Sequence, residues 1–313
     1  MSKISFCIPC YRSEKTIAGV VAEIKTKMTE MSEYKYEIVL VNDCSPDDTF
    51  GVIKRLCLEN ENIKGINFAS NFGQHAALMA ALRETEGDIV VCLDDDGQTP
   101  ANEVDKLINK LDEGFDVVYA AYGHKKHSLY RNFGSFVNDL MLCKMLDKPK
   151  TLYASSYFAA RRYIVDDMLR YENSYPYVMG LVLRATKNVT NVMVEHRDRE
   201  VGESGYNMKK LLNLWMNGFT AFSVKPLRIA TSLGFVSAFL GFLFGIYTIV
   251  RKFVNPMAPM GYAATMSFIV FFGGMIMLML GLIGEYIGRI YISINNSPQY
   301  VIKERINTGG KQI

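Results

Sequence analysis

Short apolar runs rich in β-branched residues recur through the first 120 residues, at 4–8, 37–41, 63–68, 89–93 and 117–120. Each is shorter than an ordinary helix and bounded by polar clusters, the pattern of a buried strand. Between them lie amphipathic stretches of helical period at 16–31, 48–59, 74–84 and 102–113. This alternation predicts an α/β fold, a parallel sheet with helices on both faces. In such sheets ligands bind beyond the carboxyl ends of the strands. The polar clusters at 9–14, 42–48, 70–75 and 94–98 fall at those ends. The stretch 121–205 has mixed periodicity and predicts no clear order of elements.

The last third follows a different pattern. Residues 229–250 carry no charge, and as a helix rising about 1.5 Å per residue they would reach roughly 33 Å, enough for a hydrocarbon core of about 30 Å. Residues 253–284 are again uncharged, with Asn255, Pro256, Pro259 and Gly261 marking a turn before a second span at 262–284. Two such runs joined by a short turn predict a transmembrane hairpin rather than a buried core helix. Ahead of it, Leu211, Leu212, Trp215, Phe219 and Phe222 recur at helical spacing, with Lys209, Lys210, Asn213 and Asn217 on other faces. That pattern predicts an amphipathic helix in the headgroup layer; a surface helix packed on the front domain would share it.

Lys225, Arg228, Arg289, Lys303, Arg305 and Lys311 flank the hairpin on the side of the chain ends, against Arg251 and Lys252 in its turn. The bias places both ends, and the front domain, on the cytoplasmic face of the plasma membrane. The predicted division is therefore a cytosolic domain over 1–205, an interfacial helix region over 206–228, the hairpin over 229–288 and a cytoplasmic tail over 289–313. Within that tail, residues 298–304 have strand character and are expected to add an edge strand to a neighbouring subunit in a homo-oligomer.

Composition narrows the class. With 49% hydrophobic and 21% charged residues in a 313-residue chain, disorder is excluded. A net charge of +3 is too small for a general nucleic-acid binder. Residues 206–313 hold ten Lys/Arg against Glu285 and Glu304, a net +8, so residues 1–205 carry −5. An acidic front and a basic, apolar back fit an enzyme held at an anionic membrane surface. Six cysteines do not make a disulfide framework. Cys7 and Cys10 form a lone CxxC flanking Pro9 and read as reduced cytosolic thiols. The N-terminus has no apolar run of signal-peptide length.

The sharpest chemical signal is IVVCLDDDGQTP at 89–100. Residues two apart in an extended chain point the same way, so Asp94 and Asp96 can face one ligand and Asp95 another. Adjacent carboxylates repel unless a cation neutralises them, and a hard divalent ion, Mg²⁺ or Mn²⁺, fits oxygen ligands of this kind. Gln98 can add a carbonyl oxygen to that metal set. Pro9, Tyr11 and Glu14 follow the first strand, Asp43 follows the second, and Asn71 and Gly73 precede a helix N-terminus suited to an anion or nucleotide.

In this order the motifs resemble the nucleotide-sugar-binding half of the family 2 glycosyltransferases. VEHRDREVGESGYNMKKLLNLW, VKPLR and a hairpin ending in GLIGEYIGRIY extend the resemblance to the polyisoprenyl-phosphate glycosyltransferases. Nearest within that group are the bacterial undecaprenyl-phosphate sugar transferases of the bactoprenol glucosyl and formamidoarabinosyl type. The resemblance implies a glycosyltransferase-A fold and transfer of a sugar from a UDP-sugar to undecaprenyl phosphate, with inversion. It implies that Pro9, Tyr11, Glu14 and Asp43, with Asn71, Gly73 and Asp95, bind the donor nucleotide. Asp94 and Asp96 would hold the metal and diphosphate. Arg131, with Lys125 in the basic loop before it, would lie at the acceptor phosphate. In the RxxGxSxY-like stretch Arg199 would face the diphosphate, and Ser204 and Tyr206 the acceptor, with Gly202 between them.

Two departures from the family pattern change the chemistry. Asn42-Asp43 stands where Asp-Asp is common. The stretch 151–160, where related enzymes carry an aspartate proposed as base, has no acid and offers Ser155 and Ser156. A sugar hydroxyl would need a base. A phosphomonoester, with a second pKa of about 6, is largely dianionic at neutral pH and can attack C1 unaided. The missing acid therefore favours a phosphate acceptor over a hydroxyl. The competing expectations are a GDP-mannose enzyme of the dolichyl-phosphate type and a catalytically silent scaffold, and intact Asp94, Asp96, Arg131 and Arg199 weigh against the scaffold.

Overall fold

The structure is a computed structural model that describes residues 2–122, 143, 148–195, 225–254, 261–295 and 297–309. The chain divides into two units, residues 1–215 with 296–313, and residues 216–295.

The first unit opens with the expected alternation: β1 (Lys3–Cys10), α1 (Ile17–Glu30), β2 (Lys35–Asn42), α2 (Thr49–Glu59), β3 (Ile63–Phe68), α3 (Gln74–Arg83), β4 (Ile89–Cys92), α4 (Val104–Asp112) and β5 (Val117–Tyr122). Then follow β6 (Phe158–Arg161), α5 (Arg162–Leu169), α6 (Val178–Ala185), β7 (Val189–Val194) and, after the hairpin, β8 (Ile302–Ile306). The eight strands form one sheet in the order β7-β5-β6-β4-β1-β2-β3-β8.

β1 to β5, the strands of the expected alternation, run in one direction, and β6 and β8 make the sheet mixed. β1 pairs in parallel with β2 and β4, β2 with β3, and β5 with β7. β6 lies antiparallel between β4 and β5, and β8 lies antiparallel on β3. β6 reverses because the chain leaves β5 at its carboxyl end and re-enters the sheet at the same edge, opposite Cys92. A four-residue strand, FAAR, carries too little periodicity to announce that reversal.

Apolar residues of α1, α2 and α4 pack with Ile4, Phe6, Ile8, Ile38 and Leu40 in a single core cluster on one face. α3 packs on β1, β2, α5 and α6 outside that cluster, on the other face. Its run Ala76–Leu82 is wholly buried, and four alanines within it let the helix approach the sheet closely. At the amino ends of the strands, Glu37 is 2% exposed and accepts from Ser5 Oγ and the Glu86 amide, both at 2.6 Å. Lys3 and Lys64 close on its Oε2 at 2.8 and 3.0 Å.

Pro9 stands in a central strand, where a missing N–H ordinarily costs a ladder bond. Odd-numbered β1 residues bond toward β4, as Cys7 O does to Leu93 N at 3.2 Å. The β1–β4 pairing ends at Cys7 and Cys92, so the Pro9 nitrogen points where β4 has already diverged. The carboxyl ends of β1 and β4, where the two strands part, are the place at which sheets of this kind take ligands in a crevice.

The second unit holds two long helices, α7 (Lys225–Val254) and α8 (Tyr262–Ile294). Each contains an apolar window long enough to cross a bilayer, Ala230–Tyr247 and Phe271–Gly288, and among the described residues neither window has any residue buried within the protein. A core helix of a soluble domain would be covered. Phe244 and Phe268 meet with ring centroids 5.1 Å apart, and Ser237 Oγ donates to Met275 Sδ at 3.7 Å. The expected interfacial helix lies outside the described residues up to 224, and its last four positions form the first turn of α7. The expected strand in the tail is corrected in its bounds: it forms at 302–306 rather than 298–304, and it pairs with β3 of the same chain.

Candidate active site

Three loops meet at the crevice. The β1–α1 loop carries Arg12 and the β2–α2 loop Cys44, both with positive φ, 61° and 53°. The two loops are tied to one another: the Arg12 amide donates to Ser45 Oγ at 3.0 Å, the Ser13 amide to Thr49 Oγ1 at 2.8 Å, and the Asp48 amide to Glu14 Oε2 at 3.0 Å. Left-handed backbone at non-glycine positions costs of order 1–3 kcal/mol each, and cross-loop bonds of this kind sustain it. Tyr11 stays half exposed above them, with the Arg12 guanidinium 5.6 Å from its ring centroid.

The third loop, β3–α3, is organised by Asp43. Its Oδ1 accepts the Phe72 amide at 2.7 Å and its Oδ2 the Gly73 amide at 2.8 Å, while its carbonyl accepts Asn71 Nδ2 at 3.1 Å. Burial raises the Asp43 pKa, and the two amides oppose that shift. Gly73 caps α3 at φ 90°, ψ 161°, a conformation essentially restricted to glycine. Asn42, at the position where an acid is common, donates to Asn67 Oδ1 at 2.8 Å and accepts the Ser45 amide at 3.3 Å.

The aspartate triad divides its labour. Asp95 turns to the β1–α1 loop, accepting the Tyr11 amide at 2.9 Å and the Ser13 hydroxyl. Asp94 lies on the other side, where Oδ1 accepts Gln74 Nε2 at 2.9 Å and Oδ2 accepts the Ser156 hydroxyl. Asp96 Oδ1 accepts the Gln98 amide at 3.1 Å. Burial, followed by the charges of Asp96 and Asp95, pushes Asp94 up to about 6 against the pull of Ser156 and Gln74. Gln74 and Ser156 are neutral groups, so a divalent cation is what the electrostatics of this carboxylate call for. Among the described residues no three His, Cys, Asp or Glu side chains converge on one point. A hard ion held by one or two carboxylates and completed by phosphate oxygens is the magnesium type of site, and the donor set fits it.

Residues 5–169 match the family profile described as glycosyl transferase family 2, and residues 225–290 match that of the GtrB C-terminal hairpin. This chain belongs to glycosyl transferase family 2. It is 31% identical over 307 residues to the undecaprenyl-phosphate 4-deoxy-4-formamido-L-arabinose transferase of Yersinia enterocolitica, covering 97% of this chain and 94% of the relative. Against the enzyme of that name from Salmonella choleraesuis it is 32% identical over 309 residues, covering 98% and 94%. Among solved structures it is similar to glucosyl-3-phosphoglycerate synthase of Mycobacterium tuberculosis, crystallised with Mn²⁺ and UDP-glucose, at a TM-score of 0.50 and 17% identity over 71% of this chain and 79% of that one. That likeness concerns the fold, glycosyltransferase-A. The chain is a glycosyltransferase, and the resemblance drawn from its motifs holds along almost its whole length.

In this glycosyltransferase the structure brings together Pro9, Tyr11, Glu14, Asp43, Asn71, Gly73, Asp94, Asp95, Asp96 and Gln98 at the carboxyl edge of the sheet. Arg131, Arg199, Lys125, Gly202, Ser204 and Tyr206 lie outside the described residues. Motif reading missed Gln74 and Ser13 and did not choose between the two serines. Ser155 donates to the backbone carbonyls of Ala120 and Tyr157, each at 2.8 Å, whereas Ser156 reaches Asp94. One signal for Gln74 was available: it directly follows the glycine that caps a helix pointing at the crevice.

Proposed function

We propose that this enzyme transfers a sugar from a UDP-sugar to undecaprenyl phosphate at the cytoplasmic face of the plasma membrane, with inversion at C1 and release of UDP. The curated relatives are named for undecaprenyl-phosphate sugar transfer, which supports the acceptor class. The observation that carries the reading is the side chain facing Asp94 from the acid-free stretch, a serine hydroxyl rather than a carboxylate. A serine cannot take a proton from a sugar hydroxyl at neutral pH, whereas a lipid phosphate brings its own nucleophilic oxygen.

Asp94 and Asp96 would hold Mg²⁺ or Mn²⁺, which neutralises the departing diphosphate. Pro9, Tyr11, Glu14, Asp43, Asn71, Gly73 and Asp95 are assigned to the donor nucleotide, with Asp95 also fixing the first loop, and Gln98 is assigned to the metal beside Asp94 and Asp96. Arg131 and Lys125, with Ser204 and Tyr206, are assigned to the acceptor phosphate, and Arg199 to the diphosphate. Cationic groups at those places screen the repulsion between the attacking and leaving phosphates. The uncovered apolar windows of α7 and α8 support a membrane-anchored enzyme meeting a lipid acceptor.

Full-length protein incubated with undecaprenyl phosphate, Mn²⁺ and a panel of radiolabelled nucleotide sugars tests the reading. A lipid-linked product from a UDP-sugar is expected. Labelled product only from GDP-mannose, or transfer to a sugar hydroxyl without lipid phosphate, overturns it.

A further inference from the structure

The segment after α8 returns to the catalytic unit and grips it at several points. Gln299, nearly buried, donates through Nε2 to the Tyr171 and Asn173 carbonyls at 2.8 and 2.9 Å. Ser174 Oγ donates to the Ser297 carbonyl at 2.6 Å. β8 then pairs with β3, and Asn307 Nδ2 donates to the carbonyls of Cys57 and Ile63 at 2.7 and 2.9 Å near the amino end of β3.

At the other end of β3 the same segment reaches the donor loop. The Ala69 amide donates to the Val301 carbonyl at 2.9 Å. The Tyr300 ring stacks on Phe68 with centroids 5.0 Å apart and planes 11° from parallel. Phe68 in turn meets Phe72 edge to face at 5.7 Å. Phe72 and Gly73 are the residues whose amides Asp43 holds, and Gln74 is the residue that holds Asp94. A continuous packed path therefore joins the post-hairpin tail to the first aspartate of the triad. A register irregularity between Asn67 and Phe68 marks where the ladder gives way to this aromatic contact.

We infer that the tail is a positioning clasp for the β3–α3 donor loop, with Tyr300 as the positioning residue. It touches neither donor nor acceptor. It sets the placement of Phe72 and Gly73, and through them the mouth of the nucleotide site. This inference rests on the donor role proposed for that loop. The strand cannot be replaced by an arbitrary anchor sequence, because its aromatic ring, not only its backbone, is in use.

The test compares three variants of the full-length enzyme: Tyr300→Ala, Tyr300→Phe and Asn307→Ala. Asn307 clasps the amino end of β3, away from the site, and reports general loosening of the tail. Tyr300→Ala is expected to raise the donor KM roughly tenfold while kcat stays within about twofold, a change of the size carried by one aromatic contact. Tyr300→Phe keeps the ring and restores the wild-type KM. Asn307→Ala lowers the melting temperature comparably and leaves the donor KM unchanged. In parallel, amide hydrogen exchange at residues 69–74 is expected to accelerate in Tyr300→Ala and not in Asn307→Ala, a readout that needs no turnover. Equal exchange rates in the two variants, or equal shifts in KM, overturn the clasp. Faster exchange in Tyr300→Ala with no transfer by the wild type from any UDP-sugar would leave the clasp standing and overturn only the proposed donor.

Discussion

Ser156 donates its hydroxyl to Asp94 Oδ2 across 62 residues of sequence, from a stretch that contains no acid. With Gln74 on the other oxygen, the carboxylate is oriented from both sides. Partners of this kind orient a metal ligand, and their loss typically costs about 10–100-fold in metal affinity or activity. Ser156→Ala is therefore expected to raise the Mn²⁺ concentration for half-maximal activity roughly tenfold, with little change at saturating metal. A metal titration of turnover checks this, and an unchanged midpoint would show that the bond does not orient the ligand.

Asp94→Asn and Asp96→Asn are expected to lower kcat/KM by at least about a hundredfold, since each removes a carboxylate proposed to hold the cation that neutralises the departing diphosphate. The Asp94 variant carries a second signature. Its carboxylate is pushed up to about 6 by burial and by its acidic neighbours, so its ionised form destabilises the metal-free fold. Asp94→Asn should melt at or above the wild-type temperature in chelator. A lower melting temperature would mean that the charge is structurally compensated.

Gly73→Ala isolates the backbone. A Cβ there would meet no atom within 4 Å, so sterics with neighbours add nothing, while φ of 90° remains unfavourable for alanine. A cost of about 1–3 kcal/mol is expected, together with a raised donor KM, because the same residue's amide is held by Asp43. Thermal melts with and without UDP measure both effects.

Glu37 provides a control far from the chemistry, at the amino ends of the strands. Burial alone would raise its pKa, but Lys3, Ser5, the Glu86 amide and Lys64 outweigh that and bring it down from 4.5 to about 2. A depressed folded-state pKa means that its contribution is complete above about 4.5 and is lost as pH falls toward about 2. Glu37→Gln removes the shorter of the two acidic contacts of buried Lys64, at 3.0 Å, leaving Glu86 at 3.5 Å, and is expected to cost about 1.5–3 kcal/mol at neutral pH. The gap between variant and wild type should close on acidification through that window, with the kinetic constants at neutral pH unchanged. A pH series of thermal melts reads the result.

Much of this architecture was legible along the chain because it is local. Strands β1 to β5 and helices α1 to α4 announce themselves by period, and their ends fall within a few residues of the expected ones. The triad at 94–96 and the two uncharged runs were equally plain, since charge repulsion and bilayer thickness act on contiguous residues. Less visible were β6, α5, α6 and β7. The four residues of β6 owe their burial to β4 and β5 on either side rather than to any alternation of their own.

The chain's own order of residues determined the βα alternation, the placement of acids at strand ends and the hairpin, because backbone period and side-chain transfer free energy act over neighbouring positions. Tertiary structure alone decided that β6 and β8 run against the sheet, that Asp95 and Asp43 hold loops, and that Ser156 and Gln74 face Asp94. Those outcomes depend on which distant groups burial brings within hydrogen-bond reach, and a carboxylate's partner is chosen by geometry that no local pattern encodes.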